Sequence, residues 1–221
     1  MATLDELIAA EGRARELFDL SLPLVRPGTT EREISDGVAA IAAERFGVKK
    51  FWHKKIVRAG ANTVHVYKEN PPDLAIQADD IVFFDFGPVF EDWEADYGVT
   101  VVVGNDRRKQ KLAADIERAW VLGRDYFRAH PEITGAELYR YVCELAREMG
   151  WEYGNVHCGH IVGKFPHEHV DPDDEWNHLY GTNDRPMRRP GNTGEPLQWI
   201  LEIHFVDREA GYGGFQEALL Y

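Results

Sequence analysis

Acidic residues interrupt four apolar, strand-like segments of the sequence. Asp85 lies in IVFFDFG, and Asp96 follows 11 residues later in EADYGVTVVVG. Glu202 lies in LQWILEIHF and Glu217 in GGFQEALL, so each half of the chain carries an acid in each of two successive segments. Carboxylates are costly to bury unless they are paired or bound to a metal. Because such a group of acids cannot stay ionised together without cations, the pattern predicts a metal centre.

Two histidines in the intervening segment HCGHIVGKFPHE extend this donor set. His160 and His167 are seven residues apart. Oxygen ligands combined with imidazole suit manganese, iron, cobalt or zinc. A pair of such ions lowers the pKa of bound water and polarises a carbonyl group, which is the chemistry of amide hydrolysis. The sequence therefore predicts a dinuclear centre and a metal-dependent hydrolase.

Each of these residues also has a structural interpretation. A single Asp or Glu at a strand end is more often a surface residue or the partner of an arginine, but four in matching contexts favour a site. His157, His169, His178 and His204 are compatible with exposed, core or supporting positions. Cys158 is predicted to be buried rather than a ligand, because thiolate matches an oxygen-rich site poorly.

Capping boxes indicate the helices that must position these groups. A threonine followed three residues later by a glutamate occurs at Thr3, Thr30 and Thr134. We expect helices to run from Thr3 towards Leu22, from Thr30 to Gly47, over 107–128, and from Thr134 to Gly150. Thr134 follows Thr30 by 104 residues, which indicates an internal duplication.

Strand-like sequence follows each pair of helices. The predicted strand segments are 55–66, 81–86 and 95–103 in the first half, and 156–163, 197–205 and 214–220 in the second. Two such halves can pair into one curved sheet with helices on its outer face and a groove at the pseudo-twofold axis. We therefore expect an α/β (α+β) fold with a single catalytic domain over 1–221, whose halves are approximately 1–106 and 107–221.

Composition excludes several other classes of protein. The formal net charge is −13, and basic residues cluster only at 107–111 and 185–189, so we expect no nucleic-acid partner. No apolar run approaches the ~20 residues of a membrane span, so we expect a cytoplasmic protein with no membrane partner. Two cysteines, Cys143 and Cys158, are too few for a disulfide framework and are expected to be reduced.

In chain order, the motifs DFGPVFEDWEAD, HIVGKFPHE, LEIHF and FQE resemble the metal-ligand signature of the pita-bread metallopeptidases. That family includes methionine aminopeptidase, aminopeptidase P, prolidase and creatinase. The resemblance covers nearly the whole chain and implies the pita-bread fold with two divalent ions (Mn, Co, Fe or Zn). It implies as metal ligands Asp85, Asp96, His160, Glu202 and Glu217. Asp96 and Glu217 would bridge both ions, Asp85 would bind one, and His160 with Glu202 would complete the other.

The same resemblance implies three catalytic residues. His65, in ANTVHVYKEN, and His167 would act on the substrate, and Glu202 would also carry a proton. The chain reads Glu202-Ile203 where the family often has Glu-Pro, and Tyr97 to Thr100 replace the usual arginine-threonine pair after the second aspartate. Because these departures are not at the ligands themselves, they bear on the substrate rather than on the metals.

The leading hypothesis is an aminopeptidase or dipeptidase of Xaa-Pro type that acts on a small peptide or amide. Two alternatives stay open: hydrolysis of a non-peptide carbon–nitrogen bond, as in creatinase, and a pita-bread binding module without catalysis. A partner subunit could supply a wall of the groove, so a homodimer is one expected assembly.

A long segment rich in Asp, Pro and Asn, 169–196, is predicted to be an ordered or gating loop beside the groove. It contains Arg185, Arg188 and Arg189, which are predicted to contact the substrate. Because guanidinium pairs bidentately with carboxylate, one of them could hold the free carboxylate of a short substrate. The alternative is a solvated surface excursion.

Overall fold

The computed structural model describes residues 2–167 and 174–221, which form four α-helices and ten β-strands. The helices are α1 (Ala2–Ser21), α2 (Glu31–Phe46), α3 (Arg107–Ala129) and α4 (Gly135–Met149). The strands are β1 (Ile56–Ala59), β2 (Asp80–Phe86), β3 (Val89–Phe90), β4 (Trp93–Glu94), β5 (Tyr97–Val103), β6 (Glu152–Tyr153), β7 (His157–Val162), β8 (His178–Tyr180), β9 (Gln198–Asp207) and β10 (Tyr212–Leu220).

Eight strands form one antiparallel sheet in the order β1-β2-β5-β10-β9-β7-β8, with β6 paired to β9, and β3 pairs separately with β4. The first half of the chain supplies β1, β2 and β5, and the second half supplies the rest of the large sheet. The two halves meet where β5 pairs with β10. The middle of the sheet is therefore the place where strands from both halves lie side by side.

Helices cover one face of this sheet because alternate strand residues on that face are apolar. In the second half, α3 and α4 pack Leu112, Ile116, Leu138 and Val142 into a core with the strand residue Leu201. In the first half, α1 and α2 pack Leu17, Ile34 and Val38 against Val82 and Phe84. The opposite face carries the acidic residues of the same strands, together with Ile200 and Leu219, which pack against Leu7 of α1.

The two halves repeat one local arrangement at the start of their second helix. Complete capping boxes begin α2 at Thr30 and α4 at Thr134. Thr30 forms an isolated bridge with Ala75, and Thr134 forms one with Pro186. Next to these bridges, the backbone N–H of Ile76 donates to the carbonyl of Thr29, and that of Met187 donates to the carbonyl of Ile133. Both distances are 2.9 Å. The predicted duplication is therefore visible in the hydrogen bonding as well as in the spacing.

Three local predictions differ from the structure. Thr3 lies inside α1, which begins at Ala2, because alanine is a strong helix former and extends the helix past the threonine. The expected strand 55–66 ends at Ala59, because Gly60 adopts a positive φ of 52° and opens a 3₁₀ turn. Asp96 immediately precedes β5 instead of lying within it.

Candidate metal centre and active site

The strand register brings three of the predicted ligands into one row. Asp85 on β2 lies opposite Gly98 on β5, Gly98 lies opposite Glu217 on β10, and Glu217 lies opposite Glu202 on β9. Directly opposed residues project from the same face of a sheet. The three carboxylates therefore share the face opposite α3 and α4, on which Leu7 of α1 packs against Ile200 and Leu219.

Gly98 keeps the middle of this row open. A Cβ at this position would lie 2.8 Å from the ring of Phe215 and 2.9 Å from the carbonyl oxygen of Phe84. Any larger residue would push apart the strands that carry Asp85 and Glu217. Glycine is therefore required here by close approach rather than by a special backbone angle.

Asp96 and His160 complete the predicted set. The Nε2 atom of His160 lies 3.1 Å from Oδ2 of Asp96 and 3.6 Å from Oε1 of Glu202. Ligand atoms of Asp96, His160 and Glu217 all lie within 4.8 Å of one another. The five side chains named from the sequence are thus gathered at one place in the middle of the sheet.

Burial and mutual repulsion raise the pKa of three of the four carboxyl groups in this cluster. Burial raises the pKa of Asp85 to about 6 and that of Glu202 to about 8. Burial, followed by the charges of Asp96 and Asp85, raises the pKa of Glu217 well above its usual value. Burial also acts to raise the pKa of Asp96, but the nearby His53 and His160 outweigh it and lower that pKa. Buried acids held close together in this way suit a multivalent cation.

The donor set also includes a buried carboxylate oxygen that lacks a hydrogen-bond partner among the described residues. This atom is Oε1 of Glu217. Buried carboxylate oxygens normally have partners, and an oxygen without one is well placed to bind an ion. Carboxylates with imidazole form the ligand mixture expected for manganese, iron, cobalt or zinc.

A histidine that the sequence did not single out lies against the same cluster. His53 places Nε2 at 3.1 Å from Oδ1 of Asp96 and at 3.6 Å from Oδ1 of Asp85. It belongs to an irregular segment before β1, where no periodicity identifies which side chains turn inward. The sequence signal was a lone histidine in FWHKK, which is too weak to predict a site residue.

His167 is held by a buried glutamate that the sequence pattern did not reveal either. Glu94 on β4 accepts a hydrogen bond from the backbone N–H of His167 at 2.9 Å, and its other oxygen lies 3.1 Å from Nδ1 of the ring. Trp52 packs edge-on against His167, with centroids 5.0 Å apart. The His167 and His160 rings lie nearly parallel, with centroids 6.2 Å apart. The predicted catalytic histidine is thus fixed beside the candidate metal centre.

Two further histidines line the side of the site near Glu202. Nδ1 of His157 lies 3.6 Å from Oε1 of Glu202, and the ring of His178 lies 5.2 Å from that of His157 and 6.0 Å from that of His160. Burial, together with the neighbouring His178 and His160, lowers the pKa of His157 to about 3. His157 is therefore neutral at pH 7.

His65, the other predicted substrate-side histidine, lies in a segment built by one buried arginine. Its Nδ1 lies 3.0 Å from Oε1 of Glu69, and its side chain is about one third exposed. The guanidinium of Arg58 donates to the backbone carbonyls of His65, Val66 and Glu69. These contacts order the segment, and the action of His65 on a substrate remains a prediction.

The described part of the 169–196 segment is ordered by pairing and burial. β8 pairs with β7, with His178 opposite His160. Leu179 and Met187 are fully buried, and the indole of Trp199 donates to the carbonyl of Met187. His169 and the Asp171-Pro172 pair lie outside the described residues. Residues 177–187 therefore pack onto the protein through buried side chains, whereas 192–196 are exposed.

The three arginines of this segment contact backbone carbonyls and an aromatic ring of the chain. Arg188 donates to three backbone carbonyls at the C-terminal end of α3, those of Phe127, His130 and Pro131. Arg189 donates to the carbonyl of Trp176 at 2.8 Å, and the guanidinium of Arg185 lies 4.2 Å from the centroid of the Trp176 ring. These contacts favour structural roles for Arg188 and Arg189. The predicted pairing of an arginine with a substrate carboxylate remains a prediction.

Comparison with known proteins identifies the family. The chain belongs to metallopeptidase family M24, whose model matches residues 5–198. It is 27% identical over 167 residues to an Xaa-Pro dipeptidase of Lactobacillus helveticus, covering 75% of this chain and 45% of that protein. It is 33% identical over 97 residues to an Xaa-Pro dipeptidase of Pyrococcus horikoshii, covering 43% of this chain and 27% of that protein. The chain thus spans less than half the length of these relatives.

Solved structures give the same fold. An X-Pro aminopeptidase from Thermotoga maritima matches with a TM-score of 0.77 at 20% identity, covering 98% of this chain and 57% of that one. An Xaa-Pro dipeptidase from Bacillus anthracis matches with a TM-score of 0.76 at 19% identity, covering 98% and 56%. The predicted pita-bread fold is therefore confirmed.

Across 2–167 and 174–221, no helix is long and apolar enough to cross a membrane.

Proposed function

We propose that this chain is a metallopeptidase of Xaa-Pro type, which uses two divalent ions to hydrolyse a short peptide. The observation that carries the proposal is the convergence of Asp85, Asp96, His160, Glu202 and Glu217 on one face of the sheet, in a chain of family M24. The similarity to Xaa-Pro dipeptidases supports the substrate class.

The ligand roles follow the family pattern residue by residue. Asp96 and Glu217 would each contact both ions, Asp85 would contact one, and His160 with Glu202 would contact the other. The position of Asp96 supports this arrangement, because its two oxygens face different imidazoles, those of His53 and His160. When bound, a pair of divalent ions supplies an activated water at neutral pH and polarises the scissile carbonyl. We expect manganese, cobalt, iron or zinc.

The protein's own residues orient the substrate and move protons. Glu94 accepts from Nδ1 of His167, so Nε2 is the ring nitrogen that remains to contact a substrate. With both ring nitrogens protonated, His167 would donate from Nε2 a hydrogen bond to the developing oxyanion or to the leaving nitrogen. Glu202 would carry a proton from the attacking water to the leaving nitrogen. His65, on the segment that Arg58 orders, would also bind the substrate.

The test is hydrolysis of matched substrates by the purified chain loaded with Mn²⁺, Co²⁺ or Zn²⁺. The panel contains an Xaa-Pro dipeptide, the corresponding Xaa-Ala dipeptide, the Xaa-Pro amide and creatine. We expect release of proline from the Xaa-Pro dipeptide, loss of activity on chelation, and recovery when metal is restored. Glu217→Gln serves as the inactive control, because it removes one charge from the ligand set.

Other results would identify the alternatives. Turnover of creatine without turnover of any dipeptide would support carbon–nitrogen hydrolysis of the creatinase kind. Substrate binding by a protein with two ions bound and no hydrolysis of any compound would support a binding module. Selective loss of activity towards the free-acid dipeptide in Arg185→Met, with the amide unaffected, would support carboxylate recognition by that arginine.

A further inference from the structure

The backbone of two aspartate-bearing segments holds the Trp52-His53 dipeptide against the cluster. The N–H of Trp52 donates to the carbonyl of Gly87 at 2.8 Å, just beyond β2. Its indole N–H donates to the carbonyl of Ala95 at 2.9 Å, just before Asp96. His53 is therefore tied to both places in the first half from which the carboxylates project.

The hydrogen bonding of His53 is the same as that of the predicted ligand His160. In each ring, Nδ1 contacts the backbone carbonyl of the next residue, Lys54 O at 2.6 Å for His53 and Ile161 O at 2.8 Å for His160. A carbonyl can only accept, so Nδ1 carries the hydrogen and Nε2 presents its lone pair in the neutral ring. This is the arrangement in which a metal-binding histidine has its other nitrogen fixed by an acceptor.

The two Nε2 atoms also face opposite oxygens of one carboxylate. Nε2 of His53 lies 3.1 Å from Oδ1 of Asp96, and Nε2 of His160 lies 3.1 Å from Oδ2. Ligand atoms of His53, Asp85 and Asp96 lie within 4.8 Å of one another, as do those of Asp96, His160 and Glu217. Asp96 is therefore common to two compact donor groups, each with one imidazole.

Gly87 provides the space for this ring. A Cβ on Gly87 would lie 2.2 Å from Cδ2 and 2.4 Å from Nε2 of His53, and 2.4 Å from the indole nitrogen of Trp52. Contacts this short are impossible without displacing the histidine. The chain thus combines a histidine with the only residue type that lets it reach Asp85 and Asp96.

We propose that His53 is a metal ligand, which binds the ion held by Asp85 and Asp96. This inference rests on the metal centre of the proposed function and adds a sixth side chain to it. Each ion would then have one imidazole, from His53 in the first half and from His160 in the second. Imidazole favours zinc, iron and other late transition metals, whereas an all-carboxylate site favours magnesium, calcium or manganese. Removal of His53 should therefore weaken Zn²⁺ binding more than Mn²⁺ binding.

The direct test counts imidazole N–H protons beside the metals. In protein loaded with two equivalents of Co²⁺, each bound histidine gives a strongly shifted proton NMR signal from its Nδ1–H, which disappears in D₂O. We expect two such signals in the wild type and one in each of His53→Gln and His160→Gln. His130→Gln, whose ring contacts the carbonyl of Tyr126 in α3, should keep both.

Metal binding by titration calorimetry gives a second readout. His53→Gln should weaken one of two Zn²⁺ sites by about 100-fold or more, because loss of a ligand should cost at least as much as loss of a supporting contact. Gly87→Ala, which leaves every ligand in place but crowds the ring, should weaken the same site. Gly12→Ala is its matched control, because a Cβ on Gly12 meets nothing within 4 Å.

The outcomes separate this inference from the function on which it rests. A wild type with two cobalt ions but one exchangeable imidazole signal, unchanged in His53→Gln, would overturn the assignment of His53 and leave the proposed function intact. A wild type that binds no cobalt would overturn the metal centre itself. In His53→Gln, the surviving His160 signal would show that the variant is folded.

Discussion

In the second half of the chain, His160, Glu202 and Glu217 all lie within strands, although a register shift interrupts β7 between His157 and His160, whereas in the first half only Asp85 does. Asp96 lies one residue before β5, and His53 lies in the irregular segment before β1. The strand-borne groups are aimed by the alternation of the sheet. The others are aimed by particular hydrogen bonds, such as those of Trp52 to Gly87 and Ala95.

This difference separates two ways of building one site. The second half uses backbone register, which tolerates changes in neighbouring side chains as long as the strands pair. The first half uses close packing around Gly87 and Trp52, which individual substitutions can disrupt. Substitutions in the two halves should therefore differ in their effects on metal content and activity. The effects should be greatest at Asp96, which the two donor groups share.

The largest effect should come from Asp96, which both donor groups share. Asp96→Asn keeps the shape of the side chain but removes a negative charge between His53 and His160. We expect less than full occupancy of both ions and activity reduced by more than about 100-fold, since even residues that only support metal ligands cost 10–100-fold. Elemental analysis and dipeptide hydrolysis provide the measurements. Asp92→Asn is the control, because Asp92 is exposed in the same acidic segment; equal behaviour of the two variants would contradict the shared role of Asp96.

The same contrast explains what the sequence could predict. Acids that interrupt apolar strands stand out, because burial of an unpaired carboxylate is costly, and register then places Asp85, Glu202 and Glu217 in one row. The capping boxes at Thr30 and Thr134 likewise depend only on local hydrogen bonds. His53 and Glu94 could not be predicted, because their positions depend on contacts between segments that no local pattern encodes.

A second prediction concerns His167, which lies beside the ligands and is held by Glu94. His167→Ala should lower kcat by about 100-fold, because the residue acts on the transition state, and should leave the metal content unchanged. Glu94→Gln should lower kcat by about 10-fold, because Gln can still contact the ring but no longer as an anion. Metal content and steady-state kinetics test both variants. Loss of metal in His167→Ala would instead place that histidine among the ligands.

A third prediction concerns His204, a residue of the second half that forms a buried hydrogen bond with the first half. Its Nε2 donates to the carbonyl of Thr63 at 2.9 Å, and burial lowers its pKa to about 4. Because the unfolded chain binds this proton more readily, the stability that neutral His204 contributes is complete above about pH 6.5 and is lost as the pH falls towards 4.

Between pH 6.5 and pH 5 this loss should be about 2 kcal/mol, at about 1.4 kcal/mol per pH unit. Urea unfolding of chelated wild type and His204→Phe at the two pH values isolates this loss as the difference between the two proteins, so that neither release of metal nor the titration of His157 and Asp85 contributes. His204→Phe is the comparison variant, because Phe83 and Phe215 already flank the ring. If the variant lost as much stability as the wild type over this range, another group would be responsible.

The smallest effect should come from the two capping boxes, where the halves are most alike. Thr30 and Thr134 each accept a hydrogen bond at 3.2 Å from the backbone N–H of the glutamate three residues later. Thr30→Ala and Thr134→Ala should each lower the free energy of unfolding by about 1 kcal/mol, the usual effect of losing a cap. Because the two sites belong to different helices with separate contacts, the double variant should lose about the sum. Chemical denaturation measures all three.

Neither change should affect the metal content, because the caps stabilise the helices and do not position the ligands. A loss of metal in Thr30→Ala alone would show that the first half, with ligands outside regular strands, transmits distant changes to the site more readily than the second.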